Sequence, residues 1–308
     1  MLGMLFFIGM KLWQHQGSWQ RMLLQMHEGW QSPANVWAMA ALLLVPLNWL
    51  LEALKWQVLA RRVSGAGLER CLQAVLAGLC LGMVTPRSLG DYAGRLLVHG
   101  GEEKVRMVGA VLLNRMVQSL STFAGGIAGL LILIWYLGFW QSGVLAMLLL
   151  PGVVGIVAIV LLTGAGSGNF ISWLQQRFGD KLIRWIEVIK EYSPVDLFWV
   201  NSWALLRYGV FSLQFLFLLW WAGLEGPFII LGAAIAATFL LKTLVPAFNF
   251  LSDLGVREFS ALLVFSLLEM PHAEIIAASL LLWIMNICLP ALAGLTIVLQ
   301  LRPKNITS

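Results

Sequence analysis

The run Cys71–Val84, CLQAVLAGLCLGMV, passes directly into Thr85-Pro86-Arg87-Ser88-Leu89-Gly90-Asp91-Tyr92-Ala93-Gly94-Arg95, and this junction decides how the chain is to be read. The apolar run is shorter than the roughly 20 residues a helix needs to cross about 30 Å of hydrocarbon. It ends in a proline, two glycines and charges of both signs rather than in a long solvated loop. A helix that enters the membrane, turns at a polar tip and comes back fits that pattern. Proline suits a first helical turn and Thr85 or Ser88 can cap the amides exposed there, so a second helix starts at the tip. On it Arg87, Asp91, Arg95 and His99 fall four apart and form one stripe. Gly90 and Gly94 make a GxxxG surface for close helix contact.

Composition puts this hairpin in a membrane. Of 308 residues 60% are hydrophobic and 11% charged, against roughly 25% charged in soluble domains. Apolar stretches of spanning length run Ala34–Leu54, Met107–Tyr136, Gly143–Thr163, Leu197–Ala222 and Ile275–Leu299, and Met1–Met10 reads as a short first helix. That first stretch lacks the basic n-region and small-residue cleavage site of a secretory signal. The net charge of +5 reflects cytoplasmic loops and not nucleic-acid binding. Cys71, Cys80 and Cys288 sit in apolar surroundings without metal-type spacing and read as small buried hydrophobes. Neither a metal site nor a cofactor is expected.

Loop charges orient the chain. Lys55–Arg70 carries Lys55, Arg61, Arg62 and Arg70, the segment Asn169–Asp196 carries Arg177, Lys181, Arg184 and Lys190, and the tail carries Arg302 and Lys304, which makes these sides cytoplasmic. Gly138–Gly143, Gly223–Gly226 and Glu269–Glu274 contain no Lys or Arg and are expected outside. The run from Cys71 then begins and ends on the cytoplasmic side, and a second short run, Pro227–Val245, begins and ends outside. The expected fold is an all-α polytopic membrane protein with about six full transmembrane helices plus two re-entrant helical hairpins. The single membrane domain, 1–308, divides into a first inverted repeat, 34–136, a cytoplasmic linker, 164–196, and a second inverted repeat, 197–300. Opposed repeats of interrupted segments are the arrangement many transporters use to form a midplane site. Phe170–Tyr192 and Trp19–Trp30 have apolar faces suited to lying on the membrane surface. The cluster Gly164, Gly166 and Gly168 has no phosphate-loop lysine and reads as a joint.

The second tip mirrors the first: Asp253 and Arg257 lie four apart after Pro246, with Glu258 following, and Lys242 interrupts the apolar arm before it. Ionisable residues at membrane depth are costly unless paired or hydrated, which makes them functional candidates. Arg87, Arg95, Arg115 and Arg257 are the expected lipid-phosphate ligands, because arginine and helix N-termini favour phosphate. Asp91, Asp253 and Glu258 are expected to orient them by charge pairing. Glu52, Arg207, Gln214 and Lys242 are secondary candidates, with Glu52 near the end of its span and Arg115 and Arg207 close enough to a membrane surface to snorkel.

Leu51-Glu52-Ala53-Leu54-Lys55-Trp56, the tip Pro86–Asp91, Asn114-Arg115 and Asp253-Leu254-Gly255-Val256-Arg257-Glu258 together resemble the flippase-like membrane domain of the lysylphosphatidylglycerol synthase family, as a free-standing relative without the synthase domain. The resemblance implies a translocase that moves a phosphate-bearing lipid across the bilayer, in a bacterial or archaeal cytoplasmic membrane, with membrane lipids as partners. It departs where Asn114 replaces the glutamate of a Glu-Arg pair and where Phe248–Ser252 replaces a Pro-Gly-rich approach, which points to a changed headgroup. Lysyl transfer is not expected, and the chain is read as a transporter and not an enzyme. The alternatives are a transferase in polyprenyl-phosphate glycan or lipid modification, and a non-catalytic subunit of a membrane complex. A homo-oligomer or a separate lipid-modifying enzyme are the possible protein partners. The transferase would need clustered carboxylates, and the adjacent pair Glu102-Glu103 falls in a cytoplasmic turnaround. No P-loop motif is present, so energy is expected from a gradient or from consumption of lipid on one side. A cysteine placed near Gly138 should label from outside and one near Lys181 should not; the reverse pattern in intact cells would invert this topology.

Overall fold

Backbone amides in hydrocarbon must be satisfied within their own segment, and every regular element described here is helical. The computed structural model describes residues 32–85, 89–99, 104–139, 191–245 and 250–300, leaving aside the side chains of Lys104, Val105 and Phe250 to Leu254. Met1–Met10, Trp19–Trp30, Gly143–Thr163, the glycine joint, nearly all of Phe170–Tyr192 and Arg87 lie outside the described residues. The helices are α1 (Asn35–Ser64), α2 (Leu68–Val84), α3 (Leu89–His99), α4 (Lys104–Tyr136), α5 (Pro194–Trp221), α6 (Phe228–Leu244), α7 (Phe250–Ser266), α8 (His272–Trp283) and α9 (Leu289–Gln300). A π-helical turn, Ile284–Cys288, joins the last two, so α8 to α9 run as one span.

Among the described residues four helices are long and apolar enough to cross a membrane: Asn35–Ser64, Arg106–Tyr136, Pro194–Trp221 and His272–Gln300. They match four of the expected crossings. Between them stand two pairs of shorter helices, α2 with α3 and α6 with α7. The order long, short, short, long thus occurs twice along the chain.

Two boundaries differ from the sequence expectation. The helix expected to end at Leu54 continues to Ser64, and Lys55 lies inside it at 1% exposure. Its ammonium meets Glu52 one turn earlier at 2.7 Å, so the charge that marks a loop is compensated within the helix. Trp56, Leu59 and Ala60 on the following turn are fully buried. Arg70 likewise belongs to the first turn of α2, where it donates to the carbonyls of Val98 and His99 at 3.0 to 3.2 Å. A cation on the last carbonyls of α3 is a favourable C-terminal cap. Neither residue is a loop charge.

The described chain forms two compact units, and each long helix contributes residues to both. The first takes residues up to Asn48, 122–139, 208–245 and 250–289. In it α4 and α6 meet through small residues: a Cβ added at Gly129 would fall 2.6 Å from the Ala233 carbonyl oxygen. Phe215 stacks with Phe239 at 5.9 Å and meets Phe265 at 6.2 Å. The carboxamide of Gln214, fully buried, donates to the Ala41 carbonyl at 3.0 Å, and Asn48 donates to Asn286 within the π-turn. Gly138 and Gly223, with φ of +74° and +83°, turn the chain out of α4 and α5, and the next amides reach back to Ile134 and Leu219 at 3.0 Å, as in a Schellman stop.

The second unit takes residues 49–85, 89–99, 104–121, 191–207 and 290–300. Trp56, Leu59, Cys71, Val75, Leu113 and Val200 form part of its core. Cys71 is a buried free thiol, as expected; Cys80 and Cys288 are free and half-buried. Helix α5 begins with a reciprocal cap, in which the Asp196 amide donates to Ser193 Oγ at 3.1 Å and Asp196 Oδ2 accepts from the Ser193 amide at 3.0 Å. The first hairpin closes as its glycines predict. Thr85 Oγ1 accepts from the Gly90 amide at 2.6 Å and donates to the Leu81 carbonyl at 2.9 Å, which caps the start of α3. A Cβ on Gly94 would fall 2.5 Å from Gly78 Cα and from the Ala77 carbonyl. These are backbone atoms and cannot step aside. Gly94→Ala should therefore force α2 and α3 apart and destabilise the protein by about 1 to 3 kcal/mol, the usual scale of overpacking, read as a lower midpoint of thermal aggregation in detergent. A midpoint equal to the native one would show that the hairpin is not tightly closed.

Candidate functional site

Glu52 stands on the buried face of α1, 6% exposed, in a span otherwise rich in leucine and alanine. An ionised carboxylate there needs several donors, and four helices supply them. Oε1 accepts from Arg95 Nη2 of α3 and from Asn114 Nδ2 of α4, both at 2.9 Å. Oε2 meets Lys55 Nζ of α1 at 2.7 Å and Arg207 Nε of α5 at 3.4 Å. Gln118 on α4 ties the last two together, its Oε1 accepting from Lys55 Nζ at 2.9 Å and from Arg207 Nη1 at 3.1 Å.

Asp91 extends the network. Its Oδ1 accepts from Arg95 Nε at 2.9 Å and its Oδ2 from Arg115 Nη2 at 3.0 Å. The expected pairing of Asp91 with Arg95 across one helical turn is thus present, and both are buried. Aromatic faces hold both guanidinium planes: Arg95 lies 4.7 Å from the Trp56 ring centroid and Arg115 lies 4.9 Å from that of Tyr92. The Trp56 indole N–H donates in turn to His99 Nε2 at 3.0 Å, and His99 Nδ1 lies 3.3 Å from Ser64 Oγ. An acceptor role for Nε2 puts the ring proton of a neutral His99 on Nδ1.

Four cations, Lys55, Arg95, Arg115 and Arg207, therefore surround two carboxylates, Glu52 and Asp91. These six side chains are the charged members of the described network. Its buried members are Lys55, Glu52, Asp91 and Arg95, whereas the side chains of Arg115 and Arg207 are 36% and 26% exposed. Among the described residues no group of three His, Cys, Asp or Glu side chains gathers as metal ligands.

The other candidates fall as follows. Arg257 and Glu258 belong to the first unit, both buried, with Arg257 Nε 3.7 Å from Glu258 Oε1 and Ser279 Oγ donating to that same oxygen at 2.8 Å. Lys242 stands in the last turn of α6, half-buried. Gln214 serves the Ala41 carbonyl in the first unit while Arg207, two turns earlier on α5, joins the Glu52 network in the second. Arg87 and the side chain of Asp253 lie outside the described residues. Sequence reasoning missed Lys55, Gln118 and Trp56. The signal for the first two was available: Glu52 with Lys55, and Arg115 with Gln118, each sit three apart on one helix and share a face.

If Glu52 holds this unit together, replacing it with glutamine should cost about 3 to 5 kcal/mol, the scale for breaking a buried ion pair. The half-exposed pair Arg62–Asp196, at 2.6 Å, is the contrast, and Arg62→Ala should cost about 1 kcal/mol or less. Thermal stability of the two purified variants in detergent checks this; equal losses would remove Glu52 from its structural role.

Residues 19–294 match the family model described as the lysylphosphatidylglycerol synthase TM region. Searches of curated proteins and of solved structures return no match. The match extends from before α1 into α9 and takes in every residue of the Glu52 network. The chain is therefore a multi-pass membrane protein with a lipid-related function, and it belongs to the lysylphosphatidylglycerol synthase transmembrane family.

Proposed function

We propose that this protein is a lipid translocase that carries a phosphate-bearing headgroup across the bilayer at the Glu52 network, without catalysing a chemical change. The observation that carries the reading is Arg95, whose side chain is 4% exposed and is held by Asp91 and Glu52, and whose Nη1 has no hydrogen-bond partner among the described residues. An ionisable side chain buried in an apolar span with a donor left unused is expensive, and such residues in membrane proteins mark ligand or ion pathways. Arginine supplies flat, forked donors suited to phosphate oxygens, and the partly exposed Arg115 and Arg207 are the two through which a headgroup would first engage.

In this reading Asp91 and Glu52 hold the guanidinium groups in place, and the acyl chains stay in the bilayer. The short pairs α2–α3 and α6–α7 are re-entrant hairpins of two inverted repeats, the architecture in which alternating access proceeds by rocking of one bundle against another. The repeated order of long and short helices supports that assignment.

The test is the double substitution of Asp91→Leu with Arg95→Leu, reconstituted alone in vesicles with a labelled phospholipid in one leaflet. Glu52 keeps Lys55, Arg207 and Asn114 in this variant, so yield from detergent should stay close to native. Lipid transfer should fall by about tenfold or more, the loss expected from one charge-assisted hydrogen bond of roughly 1.5 to 3 kcal/mol. Normal yield with normal transfer would reduce the network to scaffold. Transfer by the native protein only when a sugar donor is added would favour a transferase.

A further inference from the structure

We infer that His99 is a positioning residue for Arg95: through the Trp56 indole it fixes the plane of the guanidinium, and so the direction in which Nη1 is offered to a lipid phosphate. This rests on the translocase reading and adds to it a residue that acts without touching the headgroup.

Arg95 is held along one edge. Its Nε donates to Asp91 Oδ1 and its Nη2 to Glu52 Oε1, both at 2.9 Å. Two hydrogen bonds on the same edge leave the planar group able to pivot about the line that joins them, and Nη1, the nitrogen off that line, swings furthest. It is also the nitrogen without a hydrogen-bond partner among the described residues. The face of Trp56, whose ring centroid lies 4.7 Å from the guanidinium carbon, limits that pivot and favours one plane.

The indole is set in turn by a chain of hydrogen bonds that runs in one consistent direction. Trp56 Nε1 donates to His99 Nε2 at 3.0 Å. The proton of the neutral imidazole is therefore on Nδ1, which lies 3.3 Å from Ser64 Oγ. Ser64 spends its own proton on the Ala60 carbonyl at 3.2 Å, so its oxygen accepts from Nδ1. The chain starts and ends on α1 and passes through α3, and Arg70 of α2 pins its turning point by donating to the carbonyls of Val98 and His99. Trp56 is fully buried and His99 is 4% exposed, so the indole has no bulk water to fall back on as an acceptor. A histidine that only satisfied a buried indole would bear on folding alone. This one bears on Arg95 as well, because the same indole makes both contacts.

The test uses the full chain in phosphatidylcholine vesicles with increasing mole fractions of labelled phosphatidylglycerol, read as a half-saturating fraction and a maximal transfer rate. His99→Leu should raise the half-saturating fraction about fivefold, the scale of one cation–π contact, and leave the maximal rate within about twofold. His99→Gln, whose carboxamide can accept from the indole and donate to Ser64, should return the half-saturating fraction to within about twofold of native. Trp56→Phe keeps an aromatic face but has no N–H. It should raise the fraction as His99→Leu does, and combining the two should add little, because they act as one unit. If His99→Leu does not insert, Trp56→Phe alone decides. A half-saturating fraction unchanged in His99→Leu and Trp56→Phe, with only the thermal midpoint lowered, would make the pair structural and overturn the inference. So would a glutamine variant as impaired as the leucine one, or single effects that simply add in the double variant. Transfer lost in the variant carrying Asp91→Leu with Arg95→Leu, but native in both His99→Leu and Trp56→Phe, would overturn the positioning role and leave the translocase reading standing. No transfer by the native protein would overturn that reading, and this inference with it.

Discussion

The Glu52 carboxylate is the constraint on which the second unit depends. It lies in an apolar helix where an isolated charge would not be tolerated, and its two oxygens accept from or pair with groups on α1, α3, α4 and α5. Because each partner has a fixed reach, their convergence sets the register of four helices at once. Apolar packing alone would leave that register loose, since lipid tails are as apolar as leucine and association in a membrane relies on close packing and polar contacts. The glycines of α2 and α3 belong to the same constraint. Without Gly78, Gly90 and Gly94 the two backbones could not approach as they do, and Arg95 would not be positioned to bridge Asp91 and Glu52.

The two units use buried charge differently. In the first, the described pair is Arg257 with its neighbour Glu258, supported by the hydroxyl of Ser279. In the second, the described carboxylates Glu52 and Asp91 are shared among Lys55, Arg95, Arg115 and Arg207, which come from four helices. A buried ion pair removed as a unit can be replaced by apolar side chains with little loss; a carboxylate shared among several helices cannot be removed with one partner alone.

Much of this was legible in the sequence because it is local. The Asp91–Arg95 pair, the Thr85 cap and the glycine seam all follow from spacings of three to five residues, and the hairpin from the shortness of the run after Cys71. The long-range part was not legible. Arg95 and Glu52 are 43 residues apart and Arg207 is farther still, and no pattern within one helix reveals which faces meet. Lys55 and Arg70 were misplaced for a related reason. Counting basic residues at span ends treats a cation as a mark of solvent, but Lys55 has its carboxylate three residues before it and Arg70 has the carbonyls of α3. The charge pattern therefore marked the approximate end of the apolar stretch and not the end of the helix.

Asn114 shows how a small departure in sequence can act at the level of the whole network. Its Nδ2 donates to Glu52 Oε1, and its Oδ1 has no hydrogen-bond partner among the described residues. A glutamate here, as the Glu-Arg pattern of the resemblance would have it, would bring a second carboxylate toward Glu52. Two carboxylates so close cannot both stay ionised without further cations, so one would hold a proton or claim Arg95 or Arg115. The amide avoids this. It satisfies Glu52 as a neutral donor and leaves Arg95 to bridge Asp91 and Glu52 and Arg115 to pair with Asp91. Asn114 is thus better understood as a neutral donor to Glu52 than as a lost acidic residue.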